Sequence, residues 1–440
     1  MKRDSQDAPE ATVGEEIPLL AFQRFIWDAW GGNDELHLRW PNSFLLIGPL
    51  SAELLSKSME LVVVNNDALR IRVVLIHGEP RLRFAPPEEY HLEIVDLSNS
   101  TKTVNELEER IRCEIHAELF FKIALEVAPL FKTRLYKLAE QRHVLVGWRH
   151  HLLMDGYDQH RVWQELWASY ANLLNNGVSN LEKRMQYSEY CAWQAANSVV
   201  CSNSRQMYWK RRLAGTSGII WPGLSSNPVP RFGPSETAQC VIDQTLTWKL
   251  RERARHSRIH LQAYVLAAYA SLIRDWCNQR DFVIATMMTA RVKKEQLSIL
   301  GYLVQPLYLR VQLGHSHEFD EVVTTVSREY IGSLEHMDFG QVASEQPHLH
   351  SRTLFQWQRT FGEQVTPAKS PTLGFRVEEF AQQPIPPRIG GFDFLFAGLE
   401  ADNELTLATA FRPDVFPRNI ANQLLQEMWD RLERFSDSRD

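Results

Sequence analysis

Between His143 and Gly177 the sequence passes from a strand pattern to a helix pattern across one short polar turn. His143-Val144-Leu145-Val146-Gly147-Trp148 is rich in β-branched and aromatic residues, the composition of a buried strand. Val162, Leu166, Tyr170, Leu173 and Leu174 then recur along one face of a helix, which Asn175-Asn176-Gly177 is suited to stop. The intervening turn reads Arg149-His150-His151-Leu152-Leu153-Met154-Asp155-Gly156. Two imidazoles, a carboxylate and a glycine are thus placed where a strand hands over to a helix.

The same alternation runs through the rest of the chain. Ser51 to Val64 reads as a serine-capped helix ended by Asn65-Asn66-Asp67, and Leu69, Ile71, Val73 and Leu75 alternate as a strand. His77-Gly78-Glu79-Pro80 then turns the chain toward a hairpin partner at Arg81 to Phe84. Leu19 to Trp30 has helical spacing, although Phe25-Ile26-Trp27 alone also fits a short strand. Val104, Leu107, Ile111, Ile115 and Leu119 mark a helix with one buried stripe, followed by a strand from Phe131 to Leu138.

Residues 177–235 are rich in Gly, Ser, Asn and Pro, with separate helices expected around Tyr187 to Asn197 and Met207 to Leu213 and a flexible loop from Trp221 to Pro234. Beyond them, Leu261, Tyr264, Val265, Ala268, Tyr269, Leu272, Ile273 and Trp276 form a helix face, and Phe282 to Thr286 a strand. Leu405 to Phe411 alternates as a strand, and Ile420 to Phe435 is amphipathic. Strands alternating with helices predict an α/β fold. A chain of 440 residues is too long for one ordinary core, and about two to three domains is the expectation from length. The division expected is a flexible arm over 1–16, a first lobe over 17–180, a connecting region over 181–235 and a second lobe over 236–440.

Hydrophobic residues at 44% and charged residues at 23% are those of a soluble globular protein. A net charge of -6, with Lys and Arg scattered, gives no electrostatic footprint for nucleic acid. No run is long and apolar enough for a membrane span, and MKRDSQDAPEATVGEE has no signal-peptide core, so a cytoplasmic location is expected. Cys113, Cys191, Cys201, Cys240 and Cys277 are widely spaced and never form a CxxC pair, which argues against a disulfide framework or a structural zinc site.

A neutral imidazole can accept a proton near pH 7 or hold a nucleophile, because its ordinary pKa is about 6.5. If His151 does this work, Asp155 could orient it, or could turn inward to bind a cation and brace the turn. Gly156 allows torsions forbidden to other residues and lets a backbone N–H approach a substrate oxygen. Against this stands a plainer reading, in which two histidines at a strand end are partly exposed polar residues and Asp-Gly is a turn. His150, His151, Asp155, Asp158 and His160 also have the residue types of a zinc or iron site. Adjacent strand residues face opposite sides, which disfavours both histidines reaching one ion. No bound metal is expected. For Trp163, Tyr264 and Trp276 the expectation is core packing.

His150-His151-Leu152-Leu153-Met154-Asp155-Gly156 matches HHxxxDG at its four fixed positions. This motif resembles the signature of condensation domains of nonribosomal peptide synthetases, within the chloramphenicol-acetyltransferase-like superfamily. Weaker patterns follow in the family's order. Asn66-Asp67-Ala68-Leu69-Arg70 is similar to its His-Glu-x-Leu-Arg, and Phe121 to Leu135, with Pro129-Leu130-Phe131, to its Phe-Asp-Leu...Gly-Pro-Leu segment. Tyr187-Ser188-Glu189-Tyr190-Cys191-Ala192-Trp193 resembles Tyr-x-Asp-Phe-Ala-x-Trp, and Tyr208-Trp209 the Tyr-Trp that follows it. Leu300-Gly301-Tyr302-Leu303-Val304-Gln305 is similar to Gly-x-Phe-Val-Asn, His336-Met337-Asp338 to His-Gln-Asp, and Leu354-Phe355-Gln356 to Pro-Leu-Phe-Gln. The resemblance covers residues 17–435.

The resemblance implies two acetyltransferase-like lobes in a V-shaped pseudo-dimer, with an active-site tunnel at their junction. It implies His151 as the catalytic histidine, His150 as structural, and Gly156 on the tunnel floor or as an oxyanion contact. It makes Asp155 a brace paired with Arg291, in Thr289-Ala290-Arg291. No bound cofactor is implied; a phosphopantetheine arm on an acyl or peptidyl carrier protein would bring the acyl thioester, and an amine or alcohol would accept it. A Leu-Gly-Gly-x-Ser-like carrier motif and an adenylation domain are missing, so a free-standing condensation enzyme of secondary metabolism is expected. An acyl-CoA-dependent acyltransferase and a noncatalytic recruitment module are the alternatives. Gln305, Pro306, Met337 and Gly340 depart from the usual Asn, Thr, Gln and Pro, and point to altered acceptor recognition.

Overall fold

The computed structural model describes residues 16–20, 23, 24, 26, 27, 39–119, 125, 126, 130–156, 158–179, 181–224, 232–291, 293–315, 318–337, 353–359, 373–381, 388–390, 392–401 and 404–437. Most of the expected arm, parts of 19–30 and 121–129, and Asp338 and Gly340 lie outside them. The first part of the chain contains β1 (Glu16–Pro18), β2 (Arg39–Ile47), α1 (Ala52–Asn65), β3 (Ile71–Ile76), β4 (Glu79–Phe84), β5 (Glu93–Asp96) and α2 (Val104–Glu118). It continues through β6 (Phe131–Ala139), β7 (Arg142–His150), α3 (Gln159–Asn176) and α4 (Tyr187–Leu213). The second part contains β8 (Phe232–Pro234), β9 (Glu236–Ile242), α5 (Gln244–His256), α6 (Leu261–Cys277), β10 (Asp281–Thr289), β11 (Val304–Gln312) and α7 (Phe319–Glu335). It ends with β12 (Thr353–Arg359), β13 (Arg376–Glu379), β14 (Arg388–Gly390), β15 (Phe394–Glu400), β16 (Leu405–Phe411) and α8 (Arg418–Asp437).

Two larger sheets organise these elements. One has the order β13-β2-β7-β6-β5, the other β11-β10-β12-β15-β16-β9. The first sheet is buried on both faces. Phe44, Leu46 and Leu145 join the core beneath α1 and α3, whereas Leu45, Val144, Val146 and Trp148 pack with Leu107, Ile111 and Ile115 of α2. Strand alternation produces this division, since successive side chains face opposite sides. The second sheet is packed with α6, α7 and α8 in a separate core containing Phe282, Ile284, Leu309, Val326 and Met428.

One close approach sets how α3 meets β7. A Cβ on Gly147 would stand 2.3 Å from the Trp163 ring, so the ring lies directly on the strand backbone. Phe44 meets the same ring edge-on, with centroids 4.8 Å apart. Removing a buried aromatic of this kind costs about 3–5 kcal/mol. The turn from β7 into α3 is therefore held at both ends.

The two parts are laced together. Ala290, Ile299, Leu300, Tyr302 and Leu303 pack into the first core, as do Leu373, Phe375 and Val377, and β13 adds to the first sheet beside β2. The helix α4 is continuous, where the sequence suggested two helices. Its Tyr187 and Tyr190 lie in the first core and its Trp209 and Leu213 in the second, so burial at both ends carries the helix through weak helix formers at Asn197 to Ser204.

Candidate active site

His150 closes β7 and is buried. Its N–H donates to the Leu130 carbonyl at 2.7 Å, its carbonyl accepts from Leu153 N–H at 3.1 Å, and its Nδ1 accepts from Leu152 N–H at 3.2 Å. The buried Gln23 side chain donates to the Leu152 carbonyl at 2.7 Å. The turn after β7 thus satisfies its backbone locally, with the first histidine spent on shaping it.

His151 is placed differently. It is half-buried, between the Trp40 ring at 6.1 Å and the edge of Tyr302 at 5.4 Å, centroid to centroid. Trp40 comes from β2, where it is the register partner of Arg149, and Tyr302 comes from the segment between β10 and β11. Burial, then the positive charge that His150 would carry and that of Arg149, push the His151 pKa down to about 3. Its imidazole is neutral at physiological pH, the form able to accept a proton.

Asp155 is held from the second part of the chain. Its Oδ2 accepts from Arg291 Nη1 at 2.8 Å and from Leu303 N–H at 2.9 Å, with both ion-pair side chains out of water. The same guanidinium binds Asp158 through Nη2, and that nitrogen also donates to the Ile299 and Gly301 carbonyls at 3.3 and 3.1 Å. Gly301 N–H donates to Asp158 Oδ2 at 2.9 Å, and Arg161 approaches Asp158 Oδ1 at 3.7 Å. Burial raises the Asp158 pKa, opposed by Arg291 and reinforced by Asp155. The second part of the chain therefore clamps the motif turn with one guanidinium and two backbone N–H groups.

Gly156 is exposed and its backbone lies outside the left-handed region. The torsional freedom expected of this glycine is not used here. Among the described residues, a Cβ there would meet only Gln358 Nε2, at 3.9 Å, so none of them crowds that side of the turn.

Three of the weaker sequence patterns, those containing Asp67, Tyr187 and Gly301, meet beside this turn. Asp67 accepts from the N–H groups of Tyr187 and Ser188 at 2.9 and 3.1 Å, capping α4, and Tyr187 donates its hydroxyl to the Tyr302 carbonyl at 3.1 Å. The Tyr187 ring lies on Gly301, where a Cβ would stand 2.2 Å from it. Gln305 and Pro306 sit on β11 opposite Met288 and Met287. Trp163 and Tyr264 are core residues, and Trp276 packs against the second core while donating to Glu427 at 2.5 Å. Asp155 and Asp158, considered as metal ligands from sequence, both face Arg291, and among the described residues no group of three or more His, Cys, Asp or Glu could hold an ion.

Sequence reasoning did not identify Asp158 as the second carboxylate on Arg291. Its signal was the three-residue spacing from Asp155, which carries both side chains toward the same cation. Of the two rings that frame His151, Tyr302 lies in the Gly-x-Phe-Val-Asn-like pattern, whereas Trp40 carried no distinguishing sequence signal.

Comparisons with known proteins agree over the whole of this architecture. Surfactin synthase subunit 1 of Bacillus subtilis (strain 168) is 25% identical over 89% of this chain, which covers 11% of that protein. Tyrocidine synthase 3 of Brevibacillus parabrevis is 24% identical over 90% of the chain and 6% of that protein. The chain therefore spans only a small part of these relatives. Among solved structures, the X-domain from teicoplanin biosynthesis superposes with a TM-score of 0.79 at 19% identity, covering 98% of each chain. The condensation domain of the monacolin K polyketide synthase MokA gives 0.76 at 15% identity, covering 97% of this chain and 98% of that one. These two share the two-lobed α/β fold with this chain. The family model described as Condensation domain matches residues 14–439, and the chain belongs to the condensation-domain family of nonribosomal peptide and polyketide assembly systems.

Proposed function

We propose that this chain is an acyltransferase that moves an acyl group from a carrier-protein phosphopantetheine thioester to an amine or alcohol, forming an amide or ester. The observation that carries this reading is the placement of His151: a half-buried imidazole between Trp40 and Tyr302, at the start of a turn that Arg291 holds through Asp155 and Asp158. In this role the imidazole accepts the proton of the incoming N–H or O–H, or holds the nucleophile, as the new bond to the acyl carbon forms. The C–S bond then breaks, and the proton leaves with the pantetheine thiol. In this role the reacting ends lie beside Gly156, whose backbone N–H would donate to the developing oxyanion. Phosphopantetheine belongs to the partner, and the chain's own residues need hold no cofactor.

A second reading is recruitment without chemistry. The X-domain of teicoplanin biosynthesis has been solved in complex with OxyB, and it superposes on this chain with a TM-score of 0.78 at 18% identity. Incubating the purified chain with matched acyl-carrier and acyl-CoA donors, each with a panel of amines and alcohols, separates the possibilities. Product from the carrier-bound donor well above that from acyl-CoA supports the proposal. Equal or better use of acyl-CoA points to a CoA-dependent enzyme, and carrier binding with no product points to recruitment.

A further inference from the structure

Strands β10 and β12 are parallel neighbours, yet among the described residues they pair only at Ala285–Leu354 and Thr286–Phe355. Beyond that point β10 stays with β11 as far as Thr289–Val304, and β12 stays with β15 as far as Arg359–Glu400. The ladder between β10 and β12 thus stops at the end of the sheet from which both reach the motif turn. Arg291, just past β10, holds Asp155; Gln358, near the end of β12, faces Gly156.

The direction of Gln358 is set by its neighbour. The Trp357 ring lies across Gly398 of β15, where a Cβ would stand 2.4 Å from it. Strand alternation then sends Gln358 to the opposite face. Its Nε2 lies 3.9 Å from the position a Gly156 Cβ would occupy. The side chain is half-buried and makes no hydrogen bond to any described residue. A primary amide carries two N–H donors and a carbonyl acceptor, and sequestering them unpaired is unfavourable where an apolar residue would serve.

We propose that Gln358 is a specificity-determining residue, whose side-chain amide pairs with a hydroxyl or amide group carried by a substrate beside the reacting carbon. This rests on the acyl-transfer reading of the site. It adds that the substrate is polar at a defined point next to Gly156, on either the donor or the acceptor. A simple alkyl group there would leave the Gln358 amide unpaired.

The test measures binding, so that it does not depend on turnover. One arm compares the stable amide analogues 3-hydroxybutanoyl- and butanoyl-aminopantetheine; the other compares serinamide with 2-aminobutanamide. Calorimetry is run on the full chain as wild type, Gln358→Leu, Gln358→Met and His151→Ala, with circular dichroism confirming the fold of each. A single added hydrogen bond of ordinary strength predicts a preference of about five- to tenfold for the hydroxylated member of one pair. The arm in which it appears assigns the polar group to donor or acceptor. Gln358→Leu and Gln358→Met should lose the preference, and His151→Ala should keep it. No preference in either arm, no binding of any probe, or a preference unchanged in both Gln358 variants overturns the proposal. Retained discrimination without acyl transfer in the donor assay would instead overturn the enzymatic reading and leave Gln358 in place.

Discussion

Asp155 and Arg291 are 136 residues apart in sequence, and their side chains meet at 2.8 Å out of contact with water. The guanidinium does more than neutralise Asp155, because it also binds Asp158 and two carbonyls. Replacing Arg291 with Met leaves two buried carboxylates without it, a loss of about 3–5 kcal/mol for a broken buried pair. Chemical denaturation should show a correspondingly lower midpoint, with Asp158→Ala nearly as damaging as Asp155→Ala. Wild-type midpoints in these variants would contradict the clamp.

Gly301 is the close-approach point of the same clamp. Gly301→Ala drives a methyl into the Tyr187 ring, and overpacking of this kind costs about 1–3 kcal/mol. Combining it with Tyr187→Leu should recover part of the loss, although the Tyr187–Tyr302 hydrogen bond goes. Strict additivity of the two substitutions would show that the contact is not what excludes a side chain.

Gly156 predicts the opposite separation of stability from activity. Gly156→Ala should unfold at nearly the wild-type temperature, because among the described residues its added methyl meets only Gln358 Nε2, at 3.9 Å. Its acyl-transfer rate should fall by about tenfold or more, since the added bulk occupies space assigned to the reacting groups. Undiminished turnover would remove Gly156 from the site.

The His151 pKa near 3 predicts that its base form persists well below the ordinary histidine value. The acid limb of kcat/KM should therefore show no His151-linked fall at about pH 6.5, the usual imidazole pKa. Arg149→Met removes a depressing charge and should move the His151 pKa, measured by NMR, upward. Linkage has the matching sign: the folded pKa lies below the unfolded one, so this group costs stability as pH falls from about 6.5 toward the folded value. A wild-type His151 titrating near 6.5 would contradict the burial argument.

Much of this was legible in the residues because local pattern and tertiary role coincide there. The strand His143 to Trp148, the turn and the helix after it appear as expected, since one period change locates them. The single helix α4 was not legible, because burial at its two ends overrides the weak propensity of its centre. The Asp155–Arg291 pair could be inferred through a family resemblance, whereas a three-residue spacing was the sole local sign that Asp158 would share the cation. Gln358 was invisible because its significance comes from Gly156, a residue about 200 positions away.

The central claim is that His151 performs or positions the proton transfer at the bond-forming step. Mass spectrometry of the reaction of acyl-loaded carrier protein and acceptor, with wild-type protein and a folded His151→Ala variant, tests it most directly. The account predicts product with the wild type and loss of at least about a hundredfold in rate with the variant. Turnover by His151→Ala at the wild-type rate would contradict it.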